Sequence, residues 1–140
     1  MRGVKCNFYP LKIKTLTYGL ASVFALIGPV LFLHNINLSE WGMLLAELGL
    51  SLWFVSPFVL IALAVRYDSF PIVAKGALIA TILAGLFGAW FYTELTFHFY
   101  MKSGNHDAIA MLFVAAYQHA IIILTLGLSF IIGSFQASRK

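Results

Sequence analysis

The chain has 140 residues, 61% of them hydrophobic and only 10% charged, which leaves room for one small domain whose surface could not face water all round. Soluble domains carry about 25% charged residues, so lipid is the natural solvent for this chain. The single Cys6 excludes an internal disulfide and any paired-cysteine metal or redox motif, and the net charge of +4 is scattered rather than gathered into a nucleic-acid-binding patch.

In chain order, a basic segment comes first, with Arg2, Lys5, Lys12 and Lys14. Cys6 has neither an apolar region before it nor a small-residue cleavage site, so no lipoprotein or secretory signal is expected. A bilayer core about 30 Å thick needs roughly 20 apolar residues in a helix, and four segments supply them. The spacing predicts spans over 16–33, 41–65, 72–91 and 108–135. The links carry the breakers: Asn35, Asn37 and Ser39, then Asp68 to Pro71, then Ser103-Gly104-Asn105. Such short links predict an all-α, four-transmembrane-helix bundle of up-down-up-down order, a single domain over the whole length.

Orientation follows from the basic residues. Of the nine, only Lys102 falls in the links on the far side; Arg2, Lys5, Lys12, Lys14, Arg66, Lys75, Arg139 and Lys140 share the other. The positive-inside rule then puts both termini in the cytoplasm of a bacterial inner-membrane protein. Trp41, Trp90 and Tyr92 toward the outer border, and Tyr9, Tyr18 and Tyr67 toward the inner one, read as interfacial anchors.

Within the spans, Pro29 and Pro57 are expected to kink their helices. The carbonyl that Pro57 frees is to be met by Ser56 or a neighbour. In span three, Gly76, Ala80, Ala84 and Gly88 recur at every fourth position, with Ala77, Thr81, Gly85 and Ala89 alongside; small residues so spaced let helices approach closely. Their partner is another span or another copy of the chain. In span four, Asp107, Met111, Ala115, Gln118, Ile122, Thr125, Ser129 and Gly133 share a face that should look into the bundle.

The polar groups at depth are Glu47, Tyr117, Gln118 and His119. Glu47 lies about 9 Å along its helix from Trp41, and Gln118 about 16 Å beyond Asp107, at 1.5 Å per residue. Intramembrane ionisable residues invite a functional reading, here a polar relay from the outer face inward through Glu94, His98, His106 and Asp107, then Glu47, then Gln118 and His119. The simpler reading has Glu47 protonated, or bonded to Tyr92, Tyr117 or Gln118, and holding the helices in register. His119 lies about 100° around the helix from Gln118 and off the polar face.

One constellation suits a divalent metal: Glu94 and His98, four apart, with His106 and Asp107 entering from the start of span four. The spacing matches no specific metal motif, and Asn105 and Asp107 also make good caps for the last helix. A bis-imidazole haem needs two facing histidines at similar depth; His34 and His98 lie near the outer edge and could approach, whereas His119 is deeper, and no cofactor is expected. No phosphate-binding loop, GxSxG or HExxH signature is present.

Trp53 with Pro57, Glu94 closing span three, and Asp107-Ala108 through Leu112-Phe113 to Tyr117-Gln118 form a pattern covering the last two-thirds of the chain. In this pattern the chain resembles small four-span bacterial inner-membrane proteins of unknown function. It departs from them in having Ala116 where a proline is expected before the tyrosine, and His119 after the glutamine. The resemblance implies the four-span fold and a recurring Tyr117-Gln118 feature, with no known activity.

The functional expectation is a non-enzymatic accessory, immunity or assembly protein that touches the lipid bilayer and, through helix–helix contacts, a membrane-protein partner or its own copies. The alternatives are a small transporter or channel subunit moving protons or a cation past Glu47, Gln118 and His119, and a periplasmic-face metal-binding protein.

Overall fold

A computed structural model describes residues 9–33, 41–67, 71–95 and 107–138. They form four helices: α1 (Tyr9–Leu33), α2 (Trp41–Tyr67), α3 (Pro71–Glu94) and α4 (Asp107–Ser138). All four are long and apolar enough to cross a membrane. Each begins at or before the span read from the sequence, α1 by seven residues (Tyr9 against Leu16). The extension is physically unremarkable, because a proline such as Pro10 is tolerated in the first helical turn and Lys12 and Lys14 propagate helix well.

The small residues of α3 decide the packing. Half of its membrane-length segment is buried, against 11% of that in α4, so α3 is the inner helix. It packs on α4, α1 and α2, whereas α1 and α4 scarcely meet. Gly76, Ala80, Ala84 and Gly88 are all buried, and so are Ala77, Thr81 and Gly85 from the parallel stripe. The first stripe seats α4: a methyl built on Gly76 would overlap Ser129, and one on Gly88 would overlap Gln118. The second seats α1, where Phe24 fills the space beside Gly85. One helix thus carries two flat faces for two neighbours, and the close approach gives each interface its dispersion energy.

The core has two layers. In one, Phe58, Ile61 and Val65 of α2 meet Ala21 of α1, Ala77, Ala80 and Ala84 of α3, and Ile122 of α4. In the other, Phe54, Tyr92, Leu95, Val114 and Ala115 pack together. The hydroxyls of Thr17, Thr81, Thr125 and Ser129 each donate to the carbonyl four residues back in their own helix, which satisfies them in apolar surroundings. On α4 the buried residues Ala115, Gln118, Ile122 and Gly133, with half-buried Thr125 and Ser129, mark the inward face. Leu124, Leu128 and Phe135 point outward.

Tyr92 departs from the expectation of an interfacial anchor. It is 3% exposed, inside the core, while its neighbour Trp90 is 71% exposed. The reason is register: Tyr92 falls one step beyond Gly88 on the every-fourth-residue stripe that faces inward.

Candidate functional site

Two hydrogen-bonded joints hold the polar side chains at mid-bundle. The first centres on Gln118, which is 1% exposed. Its Nε2 donates to Ala84 O at 2.9 Å, and Tyr92 OH donates to its Oε1 at 3.3 Å. Ala84 O can only accept, so the amide must present its nitrogen there and its oxygen to the phenol. Gly88 is the condition for this geometry, because the amide occupies the volume where any side chain at position 88 would begin. The Tyr92 ring lies tilted on Phe54, with centroids 5.2 Å apart, and also reaches Gly28 of α1. All four helices therefore contribute around this one amide.

The second joint links α4 to α2. His119 Nδ1 lies 2.8 Å from Ala115 O, and its Nε2 lies 3.0 Å from Ser56 Oγ. A carbonyl cannot donate, so Nδ1 carries a proton; in the neutral ring Nε2 is then the acceptor. Ser56 Oγ also lies 2.7 Å from Trp53 O, to which it donates. Trp53 O is the carbonyl that the N–H of residue 57 would normally serve, and Pro57 has none. The hydroxyl thus has one proton and two places for it, the orphaned carbonyl and the imidazole. Donation to Trp53 O leaves Nε2 without that proton, and donation to Nε2 leaves the orphaned carbonyl without it. The Trp53 indole stacks on the imidazole, centroids 4.7 Å apart and 22° between planes, and its Nε1 donates to Leu112 O at 3.2 Å.

Sequence reasoning treated Tyr117, Gln118 and His119 together, and the structure separates them. Gln118 faces α3, half-buried His119 faces α2, and Tyr117, 60% exposed, lies edge-on to Phe87 with centroids 6.1 Å apart. Tyr92 and Trp53 are partners that the sequence reading did not assign to these joints, whereas Ser56 meets the carbonyl freed by Pro57 as expected and also reaches His119. The usable signal for Tyr92 was the extension of the small-residue stripe to position 92.

The backbone of Glu47 belongs to α2, but its side chain lies outside the described residues. Ser51, one turn later on the same face, has a buried hydroxyl with no hydrogen-bond partner among the described residues. Of the suggested metal set, Glu94 is the last residue of α3 and half-buried; His98, His106 and the side chain of Asp107 lie outside the described residues. Among the described residues no three His, Cys, Asp or Glu side chains converge. Pro29 and Pro57 are both buried inside their helices.

Compared with family models, curated proteins and solved structures, the chain matches none.

Proposed function

We propose that this is a multi-pass protein of the bacterial inner membrane, an up-down-up-down bundle with both termini in the cytoplasm. It acts without chemistry of its own, as an accessory, immunity or assembly factor, through helix–helix contacts with a membrane partner or with further copies of itself. The observation that carries this reading is the use made of the polar side chains. Gln118 and His119, which a polar relay would need in series, each close a separate joint between helices.

The contact registers support the alternation of the helices. Gly28 meets Phe54 and Tyr18 reaches Ala62, just as Gly88 meets Gln118 and Gly76 meets Ser129, so residue numbers rise along one helix as they fall along the next. Lys12, Lys14, Arg66 and Lys75 then fall at the same end of the bundle, the cytoplasmic end by the positive-inside rule. The same reading keeps the chain beside small four-span bacterial membrane proteins. The little-buried α4 leaves most of its apolar length for lipid or a partner helix.

Native mass spectrometry of the protein released from its own membranes tests the proposal. The expected species exceeds the 15.5 kDa chain by a partner or by whole copies. A bare monomer, under conditions that keep other membrane complexes together, refutes it.

A second reading, a proton or cation transporter or channel subunit using Glu47, Gln118 and His119, draws on the buried Ser51 hydroxyl, without a partner among the described residues, one turn from Glu47. Ion flux into reconstituted vesicles that is unchanged by Glu47→Gln and His119→Ala would end that reading.

A further inference from the structure

The seam between α1 and α3 has an outer side turned away from both joints. Phe24 fills the space beside Gly85 and Gly28 meets Tyr92, so residue numbers rise together along these two helices. Lys12 precedes Phe24 by about 18 Å of helix and Lys75 precedes Gly85 by about 15 Å, at 1.5 Å per residue. The two lysines therefore share one depth to within about 3 Å, one on each helix. Both are exposed. Direction agrees with depth. On α1, Phe24 faces α3, Tyr18 faces α2, and Lys12 lies about 120° round the helix from each. On α3, Gly85 faces α1 and Gly88 faces α4, while Lys75 lies about 80° from the first and about 140° from the second. Both positions thus flank the seam on the same side, on axes about 8–10 Å apart.

Charge at this end of the bundle is one-sided. Of the five acidic residues only Asp68 belongs to it, in the link between α2 and α3; Glu40, Glu47, Glu94 and Asp107 belong to the other. One carboxylate cannot balance Lys12, Lys14, Arg66 and Lys75 together. Lys14 and Arg66 are engaged within the fold, whereas Lys12 and Lys75 have no hydrogen-bond or ion-pair partner among the described residues. Two ammonium groups side by side at the edge of a low-dielectric medium repel, and an anion between them removes that cost. The depth suits a headgroup, because each lysine lies about one turn from the start of its helix and its stem can carry the charge outward. Toward the middle of the bundle, Leu16 and Val23 of α1 and Ile79, Ile82 and Leu86 of α3 are exposed on that same side. A free phosphate would use the lysines and leave this apolar strip uncovered, whereas a phospholipid uses both.

We propose that the outer side of the α1–α3 seam binds an anionic phospholipid, its phosphodiester between Lys12 and Lys75 and an acyl chain along the apolar strip. Basic sites between membrane helices recognise anionic headgroups by the same chemistry. The site rests on the reading of the four helices as membrane spans and not on the accessory role.

Native mass spectrometry of the full chain tests it, with phosphatidylglycerol or phosphatidylcholine of the same acyl chains titrated into uncharged detergent. The expected result is a saturable adduct of one phosphatidylglycerol per chain, held at least about tenfold more tightly than phosphatidylcholine. Lys12→Gln with Lys75→Gln should reduce the preference to within about twofold. Arg2→Gln with Lys5→Gln removes the same charge from the segment before α1 and should leave the preference intact. Equal losses in the two double variants would reveal a diffuse field of positive charge and overturn the proposal. Displacement of the lipid by an equal concentration of glycerol phosphate also overturns it, because a soluble phosphate ester would then suffice. Should the Lys12 and Lys75 double variant not fold, the single variants decide: each should weaken phosphatidylglycerol by about threefold, and no change in either overturns the site. A chain that fails to insert into liposomes overturns the membrane reading and the site together, whereas one that inserts and binds both lipids alike overturns the site alone.

Discussion

Replacing Gly88 by alanine should disrupt the joint at Gln118, and the size of the effect can be worked from the contacts. The added methyl overlaps the Gln118 amide, so the amide must withdraw from both Ala84 O and Tyr92 OH. Interhelical hydrogen bonds in membrane proteins average about 0.6 kcal/mol and reach ~1.7, so losing two amounts to about 1–3 kcal/mol. A withdrawn amide left buried adds a further penalty of about 1–3 kcal/mol. Against these stands the better helix propensity of alanine, about 1 kcal/mol. The net expectation is destabilisation by about 3 kcal/mol. In a Gln118→Ala background the obstacle is gone and the sign should reverse, with Gly88→Ala stabilising by up to ~1 kcal/mol. The coupling between the two positions is therefore about 4 kcal/mol. Reversible unfolding by sodium dodecyl sulfate titration in mixed micelles, followed by tryptophan fluorescence, measures all four variants of the cycle. An equal effect of Gly88→Ala in both backgrounds would refute the argument, since the clash would then lie elsewhere than the amide.

Three further outcomes can be read by the same titration. Ser56→Ala deprives Trp53 O and His119 of their shared partner and should destabilise by about 1–2 kcal/mol. The effect should shrink in a Pro57→Ala background, where a backbone N–H returns to serve the carbonyl; an undiminished effect would mean that the hydroxyl matters to His119 alone. Gly76→Ala should destabilise by at least ~2 kcal/mol, because the built methyl also falls 2.6 Å from Ser129 Cβ, whereas the exposed Gly127, with nothing within 4 Å, should accept alanine neutrally or with a gain of up to ~1 kcal/mol. Finally, Gln118→Ala and His119→Ala should combine additively within about 0.5 kcal/mol if they serve separate joints. Coupling above ~1 kcal/mol would instead favour a continuous polar relay and count against the accessory reading.

That last expectation rests on a difference between what helical periodicity reveals and what it hides. The spans were legible because apolar length is a composition property, read without knowing any partner, and the four helices follow it to within a turn or two. The small-residue stripes of α3 were legible for the same reason: every-fourth-residue spacing defines a face regardless of what the face meets. Partner identity is a property of two helices together, and no single-helix pattern contains it. Tyr92 shows the limit. Its position near a span border suggested an anchor at the interface, yet it continues the sequence of Gly76, Ala80, Ala84 and Gly88 and so turns inward to Gln118. Border position and helical register disagreed, and register decided, because a stripe that seats a neighbouring helix does not stop at a nominal membrane depth. His119 shows the converse. Lying a quarter turn off the polar face left it unexplained so long as α4 was granted one inward face. A helix in contact with both α3 and α2 has two, about 100° apart. Adjacent residues in sequence are then the natural way to address two different neighbours. Gln118 and His119 are consecutive letters that belong to different interfaces, and a relay between them would have to cross that angle through groups that each is already using elsewhere.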